Sequence, residues 1–444
     1  MAVTRLLTLA AVMLAAGTLP AAEPAVTLVE AFDETSGAYR VEVKSSISGK
    51  IRVPVGEGKP AKVVDLSGSH HFQYDERPLK AEDPAERKVV RTYRTFDFSR
   101  TIGGQEQTAG VRPEVRRLVV LRSDRGKKNP FSPDGPLTFD EIDVVKNDLF
   151  CPTLVPGLLP DKPVSPGAKW AAKSDAVIDL TDMEKVDRGG LDVEFVGVIE
   201  SNKKRYAKLT VSGSVSGVYE EGPGRQTLDC TVYFDLEASR LSYLKLNGVH
   251  ELLDAQGQTT AKVEGSFSLT REASPKADEF TAAALQGVEL KPTADKTLLL
   301  YDNPDLGVKF LHPRRWRVGV VQGRQLVLNE PQGGWAKLTV LPAAKTPTAA
   351  AFQAEVKDFL AKEKVRLSPV PEPKRWQAKP AVDRFGMDVE AATGKLRMEF
   401  ALLSGPDGGV TVDARLPEKL AAELAPDLDR VLKSLTVTKK ISEK

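Results

Sequence analysis

The stretch Tyr301-Asp302-Asn303-Pro304-Asp305-Leu306-Gly307-Val308-Lys309-Phe310-Leu311-His312-Pro313-Arg314-Arg315-Trp316 divides this chain. Asn303-Pro304-Asp305 followed by Leu306-Gly307 is turn chemistry: proline presets φ, and the Asn and Asp side chains satisfy nearby backbone. Val308, Phe310 and His312 then alternate with Lys309 and Leu311, the period of a strand. Pro313 ends the ladder by removing a donor, so Trp316 opens a second strand after a tight corner. Everything after this point reads as one compact unit and everything before it as another.

Working outward toward the C-terminus, short strands are predicted at Val318 to Val321, Gln325 to Leu328 and Trp335 to Leu341. A helix follows, with Thr346 as N-cap and Pro347 at its first position. Phe352, Val356, Phe359 and Leu360 form its apolar stripe. Two strands flank Gly405 to Gly409, and a closing helix carries Leu420, Leu424, Leu428, Val431, Leu432 and Leu435. The order of Tyr301, the turn, Gly307-x-x-Phe310 and x-x-Pro313-x-x-Trp316 resembles the opening of PsbP-like domains, and the similarity runs from Leu299 to Thr438. The resemblance implies an antiparallel sheet flanked by helices that works by protein contact. No ligand-binding residue of that family has a matching position here.

Working back toward the N-terminus, Tyr39 to Thr270 repeats one theme: alternating apolar runs separated by Gly, Asp, Pro or charged turns, which is strand periodicity. The longest runs are Lys88 to Phe98, Tyr206 to Tyr219, Thr227 to Leu236, Leu241 to Leu253 and Lys262 to Leu269. Gly197, Gly213, Gly217, Gly248 and Gly265 lie inside strands, where bends or bulges of a strongly curved sheet need them. In texture, though not in motif, Val26 to Thr270 resembles the half-barrels of bacterial lipoprotein carriers and related exported proteins. The Pro-rich region Asn129 to Trp170 reads as a connector whose Leu154, Val155, Leu158 and Leu159 finish the core, or as a lid across the sheet's open mouth. The expected class is therefore α+β: an N-terminal curved antiparallel sheet or half-barrel over 26–272, a linker at 273–297, and a PsbP-like domain over 298–438.

Export is expected from the first residues. Arg5 supplies a charged start, Leu6 to Ala16 an apolar core, and Leu19-Pro20-Ala21-Ala22 a cleavage site, which makes 1–22 a signal peptide and the product periplasmic or secreted. No later stretch approaches twenty apolar residues, so no transmembrane segment is expected in the mature chain. The net charge of +2 arises from 63 basic and 61 acidic residues spread along 444 positions, a balance that excludes phosphate tracking and hence a nucleic-acid partner. The two cysteines, Cys151 and Cys230, are a candidate disulfide that would constrain the unfolded chain by about 4–5 kcal/mol. The alternative is that Cys230 serves as a small hydrophobe on the face of Leu228, Val232, Phe234 and Leu236.

Catalytic signatures fail one by one. His70 and His71 are adjacent on a predicted strand and point to opposite faces, while His250 and His312 stand alone. Ser201-Asn202-Lys203-Lys204 matches S-x-x-K but falls on a hairpin tip, and Asp140 and Glu141 are neighbours that diverge. No cofactor, metal site or catalytic residue is expected. Trp376, in the Pro369 to Pro380 loop, is the candidate contact for a partner, and Trp170 and Trp316 read as core plugs. Two functions compete: a non-catalytic binding or scaffold protein meeting an envelope protein, and a carrier of an apolar ligand such as lipid held in the curved N-terminal sheet.

Overall fold

The computed structural model describes residues 24–443 except 31–36, 54–61, 84–85, 123–127, 147–156, 182, 220–221, 255, 363–365, 368–369 and 392–393. The expected signal peptide, Cys151, Leu154 and Val155 lie outside the described residues.

Alternation of apolar and polar residues drives most of the first 273 residues into one twelve-stranded antiparallel sheet. Its strands are β1 (Tyr39–Val53), β2 (Lys62–Leu79), β3 (Arg87–Ile102), β4 (Gln105–Thr108), β5 (Arg117–Arg122) and β6 (Lys128–Phe131). A short β7 (Leu137–Thr138) belongs elsewhere. The sheet continues with β8 (Lys169–Ala171), β9 (Lys185–Ser201), β10 (Lys204–Tyr219), β11 (Gly222–Asp235), β12 (Arg240–Leu253) and β13 (Thr259–Ala273). The spatial order β6-β5-β3-β2-β1-β13-β12-β11-β10-β9-β8, with β4 on β3, makes a meander whose first strand pairs with its last long one, and the sheet is not closed. β1 and β2 pair continuously over fifteen positions, from Tyr39 with Glu76 to Val53 with Lys62. Register shifts beside Lys208, Ser216, Tyr233, Leu252 and Gln73 mark bulges that bend the long strands.

One face of this sheet is packed at the Tyr39 end and, over β9 to β11, also at Leu191, Leu228, Val215 and Tyr219. Val41, Val43, Phe72, Tyr74, Leu244 and Leu269 meet helix α1 (Phe139–Lys146), helix α2 (Ser174–Thr181) and the segment Leu158, Leu159 and Val164. Trp170 donates from Nε1 to the Leu158 carbonyl at 2.7 Å. The described part of the Asn129 to Trp170 region therefore completes the core as a connector.

After Pro292 come β14 (Leu299–Asn303), β15 (Val308–His312), β16 (Arg317–Gln322), β17 (Gln325–Asn329) and β18 (Trp335–Leu341). Next are α3 (Ala349–Lys362), β19 (Arg366–Leu367), β20 (Lys374–Gln377), β21 (Ala381–Ala391), β22 (Gly394–Gly405), β23 (Gly408–Pro417), α4 (Glu418–Ser434) and β24 (Thr436–Val437). Eight of these strands form an antiparallel sheet ordered β16-β17-β18-β23-β22-β21-β19, with β20 on β21. Leu424, Leu428, Val431 and Leu432 of α4 pack with Ala401, Leu403 and Val412, whereas Phe352, Val356 and Leu360 of α3 pack with Met398, Phe400 and Leu402. A smaller sheet, β24-β15-β14-β7, joins the two regions, because β7 pairs in parallel with β14.

The expected α+β class is overturned: strand outweighs helix by 56% to 15%, and the protein is mostly β, built on large antiparallel sheets. The physical reason is coverage. A seven-strand path spans about 30 Å at the usual strand spacing, while one helix is about 10–12 Å wide. The apolar stripes around Phe352 and Leu428 thus yield one helix each and no helical layer. The N-cap also moves: Thr348 Oγ1 accepts from the Ala351 amide at 3.2 Å, while Thr346 donates to the Pro342 carbonyl. At the dividing turn, Asn303 Oδ1 accepts from the Leu306 amide at 2.9 Å and Gly307 adopts φ +70°, which a side chain would resist. Trp316 is buried and donates from Nε1 to Asp427 at 3.0 Å.

Candidate functional site

The half of the large sheet that the helices leave uncovered holds a cavity of about 460 Å³, within the range of small-molecule pockets. Among the described residues its walls come from six consecutive strands, β3, β2, β1, β13, β12 and β11.

Register explains the space. Along one line across the strands, Arg100 pairs with Gly68, Gly68 with Ile47, Ile47 with Gly265, Gly265 with Gly248, Gly248 with Leu228, and Leu228 with Gly213. Directly paired residues share a face, so four glycines and two aliphatic side chains make a low floor, with Gly265 and Gly248 side by side. Ile47 lies over its neighbours: a Cβ on Gly68 would sit 3.4 Å from Ile47 Cγ1, and one on Gly265 would sit 3.2 Å from Cγ2. Leu228 does the same for Gly248, at 2.9 Å. Toward the packed core the next line is Phe98, His70, Ser45, Phe267 and Leu246, a higher wall. On the other side stand Val263, His250 and Gln226.

The polar groups of the groove fall into two sets. At one end the Tyr219 ring lies 4.2 Å from the His250 ring and its hydroxyl donates to Gln226 Oε1 at 2.8 Å, so these groups engage one another. At the other end Arg100 donates from Nε and Nη2 to a neutral acceptor, Gln107 Oε1, at 3.1 and 2.9 Å, and its guanidinium carbon lies 5.7 Å from the Phe98 ring centre. Among the described residues Arg100 makes no ion pair. His70 shares a 2.8 Å hydrogen bond between Nδ1 and Ser45 Oγ, and its ring stacks on Phe72 at 4.6 Å. Arg52 also lines the cavity, and among the described residues no Asp or Glu does.

The residues singled out from sequence fall elsewhere or play other parts. His71 turns to the opposite face, where Nε2 meets Glu42 Oε1 at 2.8 Å. His312 is buried with Nδ1 3.1 Å from the Pro313 carbonyl, and burial pulls its pKa down. Cys230 is a free, buried thiol on the packed face, pushed up to about 12 by burial and then by Asp229. Trp376 is half-buried, with Arg384 and Lys433 at 5.6 and 5.9 Å from its ring centre. Lys203 and Lys204 sit at the β9–β10 hairpin tip, where Asn202 and Lys203 take φ of 51° and 62°. Glu141 is buried at the start of α1, receiving the Arg112 guanidinium at 2.8 and 3.0 Å. Sequence reasoning marked Gly213, Gly248 and Gly265 as bends and passed over Gly68 and Arg100; the glycines share an inward-facing position on an alternating strand, which was readable, while the place of Arg100 follows from its pairing with Gly68.

Among the described residues no helix is long and apolar enough to cross a membrane. No family model and no curated protein matches the chain. Among solved structures it is similar to PsbP of the cyanobacterium Synechocystis sp. PCC 6803, with 16% identity, 32% of this chain and 92% of that one covered, and a TM-score of 0.26. DynF from the dynemicin pathway of Micromonospora chersina is similar at 10% identity, covering 59% of this chain and 90% of that one, with a TM-score of 0.15. The translocator domain of autotransporter NalP from Neisseria meningitidis is similar at 7% identity, covering 85% and 86%, with a TM-score of 0.12.

Proposed function

We propose that this protein is an exported, non-catalytic carrier that holds an apolar ligand in the groove of its open twelve-stranded sheet, in the periplasm or outside the cell. One observation carries the reading: the inward face is packed at the Tyr39 end and left as a cavity of about 460 Å³ at the other, over a floor of Gly68, Ile47, Gly265 and Gly248. Apolar surface left uncovered costs about 25 cal/mol per Å² relative to burial, so a ligand that covers the exposed Ile47 and the half-buried Val263 gains that energy on binding. The leader read from Arg5 to Ala22 supports the location. The scaffold reading has less behind it, since Trp376 is half-buried beside Arg384 and Lys433 at the edge of the C-terminal core.

Native mass spectrometry of the protein purified without detergent tests the proposal. A noncovalently bound lipid-sized species is expected, removable by organic extraction and absent from Ile47→Trp, whose ring would fill the groove. An empty protein that also fails to take up added palmitate, hexadecanol or the neutral dye N-phenyl-1-naphthylamine would overturn it.

A further inference from the structure

We infer that the groove's ligand is a single-chain amphiphile with an anionic head, of the fatty-acid class, seated with its head at Arg100 and its chain along the glycine floor toward Gly248. The inference rests on the carrier reading and adds the chemistry and direction of the ligand.

Three observations support it. The first is charge: the ionisable residues of the lining are Arg52, Arg100, His70 and His250, with no carboxylate among them. A neutral hydrocarbon needs no guanidinium beside it, and a cationic amphiphile would be repelled. The second is the state of Arg100. It is half-buried, its hydrogen bonds go to an uncharged side chain, and it makes no ion pair among the described residues. A guanidinium presents donors in a planar fork matched to a carboxylate, and a charge-assisted pair is about twice as strong as the neutral bonds to Gln107. The third is layout. Arg100 stands at the β3 end of the floor line, and four strand steps of about 4.8 Å carry that line roughly 19 Å from Arg100 to Gly248.

Neighbouring groups fit the same direction. His70 is the diagonal cross-strand neighbour of Arg100, two residues along β2 from Gly68, and borders the space where the head would lie. Phe98 flattens beneath the guanidinium and separates it from the core. At the far end, Tyr219, Gln226 and His250 are already engaged with each other, so a methyl terminus there leaves no polar partner stranded.

The test is displacement of N-phenyl-1-naphthylamine from the delipidated full-length protein by palmitate, hexadecanol and hexadecyltrimethylammonium, in wild type, Arg100→Gln and Arg100→Lys. Palmitate is expected to bind at least about tenfold more tightly than hexadecanol, the preference vanishing in Arg100→Gln and returning in part in Arg100→Lys. Equal affinity for palmitate and hexadecanol in wild type, or a preference untouched by Arg100→Gln, would overturn this inference and leave the carrier reading standing. Failure of the dye and all three amphiphiles to bind would remove both.

Discussion

Arg271 and Glu30 form an ion pair within the packed end of the large sheet: Nη1 donates to Oε1 at 2.8 Å, and the side chains are 4% and 1% exposed. The Arg271 guanidinium also lies 4.5 Å from the Tyr39 ring centre, and Tyr39 donates to Glu76 at 2.7 Å. Glu30 thereby ties the segment before β1 to β13. Removing one partner strands the other charge, so Glu30→Ala is expected to destabilise the fold by about 3–5 kcal/mol. The paired replacement Glu30→Leu with Arg271→Met removes both charges and is expected to recover most of that loss. Urea unfolding of the wild type and the two variants measures it.

The carboxyl of Glu141 behaves oppositely to that of Glu30 as pH changes. Burial raises Glu141, but the Arg112 side chain and the amides of Arg112 and Thr138 overcome it and hold the pKa below the ordinary glutamate range. With Thr138 Oγ1 accepting from the Glu141 amide and Glu141 Oε2 from the Thr138 amide at 2.7 Å, the pair closes a reciprocal cap on α1. A depressed folded pKa gives stability that is complete above the unfolded pKa and lost as pH falls through the folded one. Glu141→Gln is therefore expected to cost about 1.5–3 kcal/mol at neutral pH, a difference that shrinks toward zero in acid. For Glu30, raised chiefly by burial, the contribution runs the other way: present below the unfolded pKa and lost as pH rises through the folded one. Urea midpoints across the acid range for wild type and both variants check the two signs.

Glycines of the floor line differ in what surrounds them. A Cβ on Gly213 would sit 2.2 Å from the Gly190 carbonyl oxygen, which is backbone, whereas on Gly248 it would meet the Leu228 methyl at 2.9 Å. A side-chain methyl can rotate aside and a paired strand cannot. Gly213→Ala is expected to cost at the upper end of the overpacking range of about 1–3 kcal/mol or beyond it, and Gly248→Ala at its lower end. Denaturant titration ranks them.

Arg314 fastens the C-terminal region to the edge of the large sheet without a carboxylate. It donates to the Thr297 carbonyl at 2.8 Å, to Asn129 Oδ1 and to the Pro130 carbonyl, and burial pulls its pKa down to about 10. Lys296 adds a 3.0 Å bond to the Pro133 carbonyl. Arg314→Met is expected to lower stability by about 2 kcal/mol through the unsatisfied carbonyls it leaves and to speed proteolytic cutting within 273–297, read on gels against wild type.

The Cys230 thiol, with its pKa raised to about 12, exists almost entirely protonated near neutrality. Iodoacetamide at mildly alkaline pH is expected to leave it untouched in the folded protein and to alkylate it after unfolding without reductant. A thiol that stays silent in the unfolded, unreduced chain would reveal a bridge to Cys151.

Much of the local structure was legible along the chain. The period-two runs at Tyr206 to Tyr219 and Leu241 to Leu253 became β10 and β12 with bounds shifted by a residue or two, and the Asn303 to Gly307 turn formed where proline and asparagine demanded it. The fold class was misjudged because two strong helical stripes, at Phe352 and Leu428, outweighed in the reading a strand content spread over many weaker segments. Thr346 was expected as N-cap, and Thr348 holds that place because the helix begins only at Ala349.

What the sequence by itself determined about this protein is which faces of its strands are apolar, where they turn, and that its charges balance. Side-chain alternation and turn preference act between residues a few positions apart, so they can be read without knowing what lies opposite. The groove was decided only by tertiary structure. Gly68, Gly213, Gly248 and Gly265 come from four strands and meet on one line through pairing register, and Arg100 reaches the end of that line only because β3 pairs β2 at Gly68. Register depends on hydrogen bonds between segments distant in the chain, and a one-residue slip would send each of these residues to the other face.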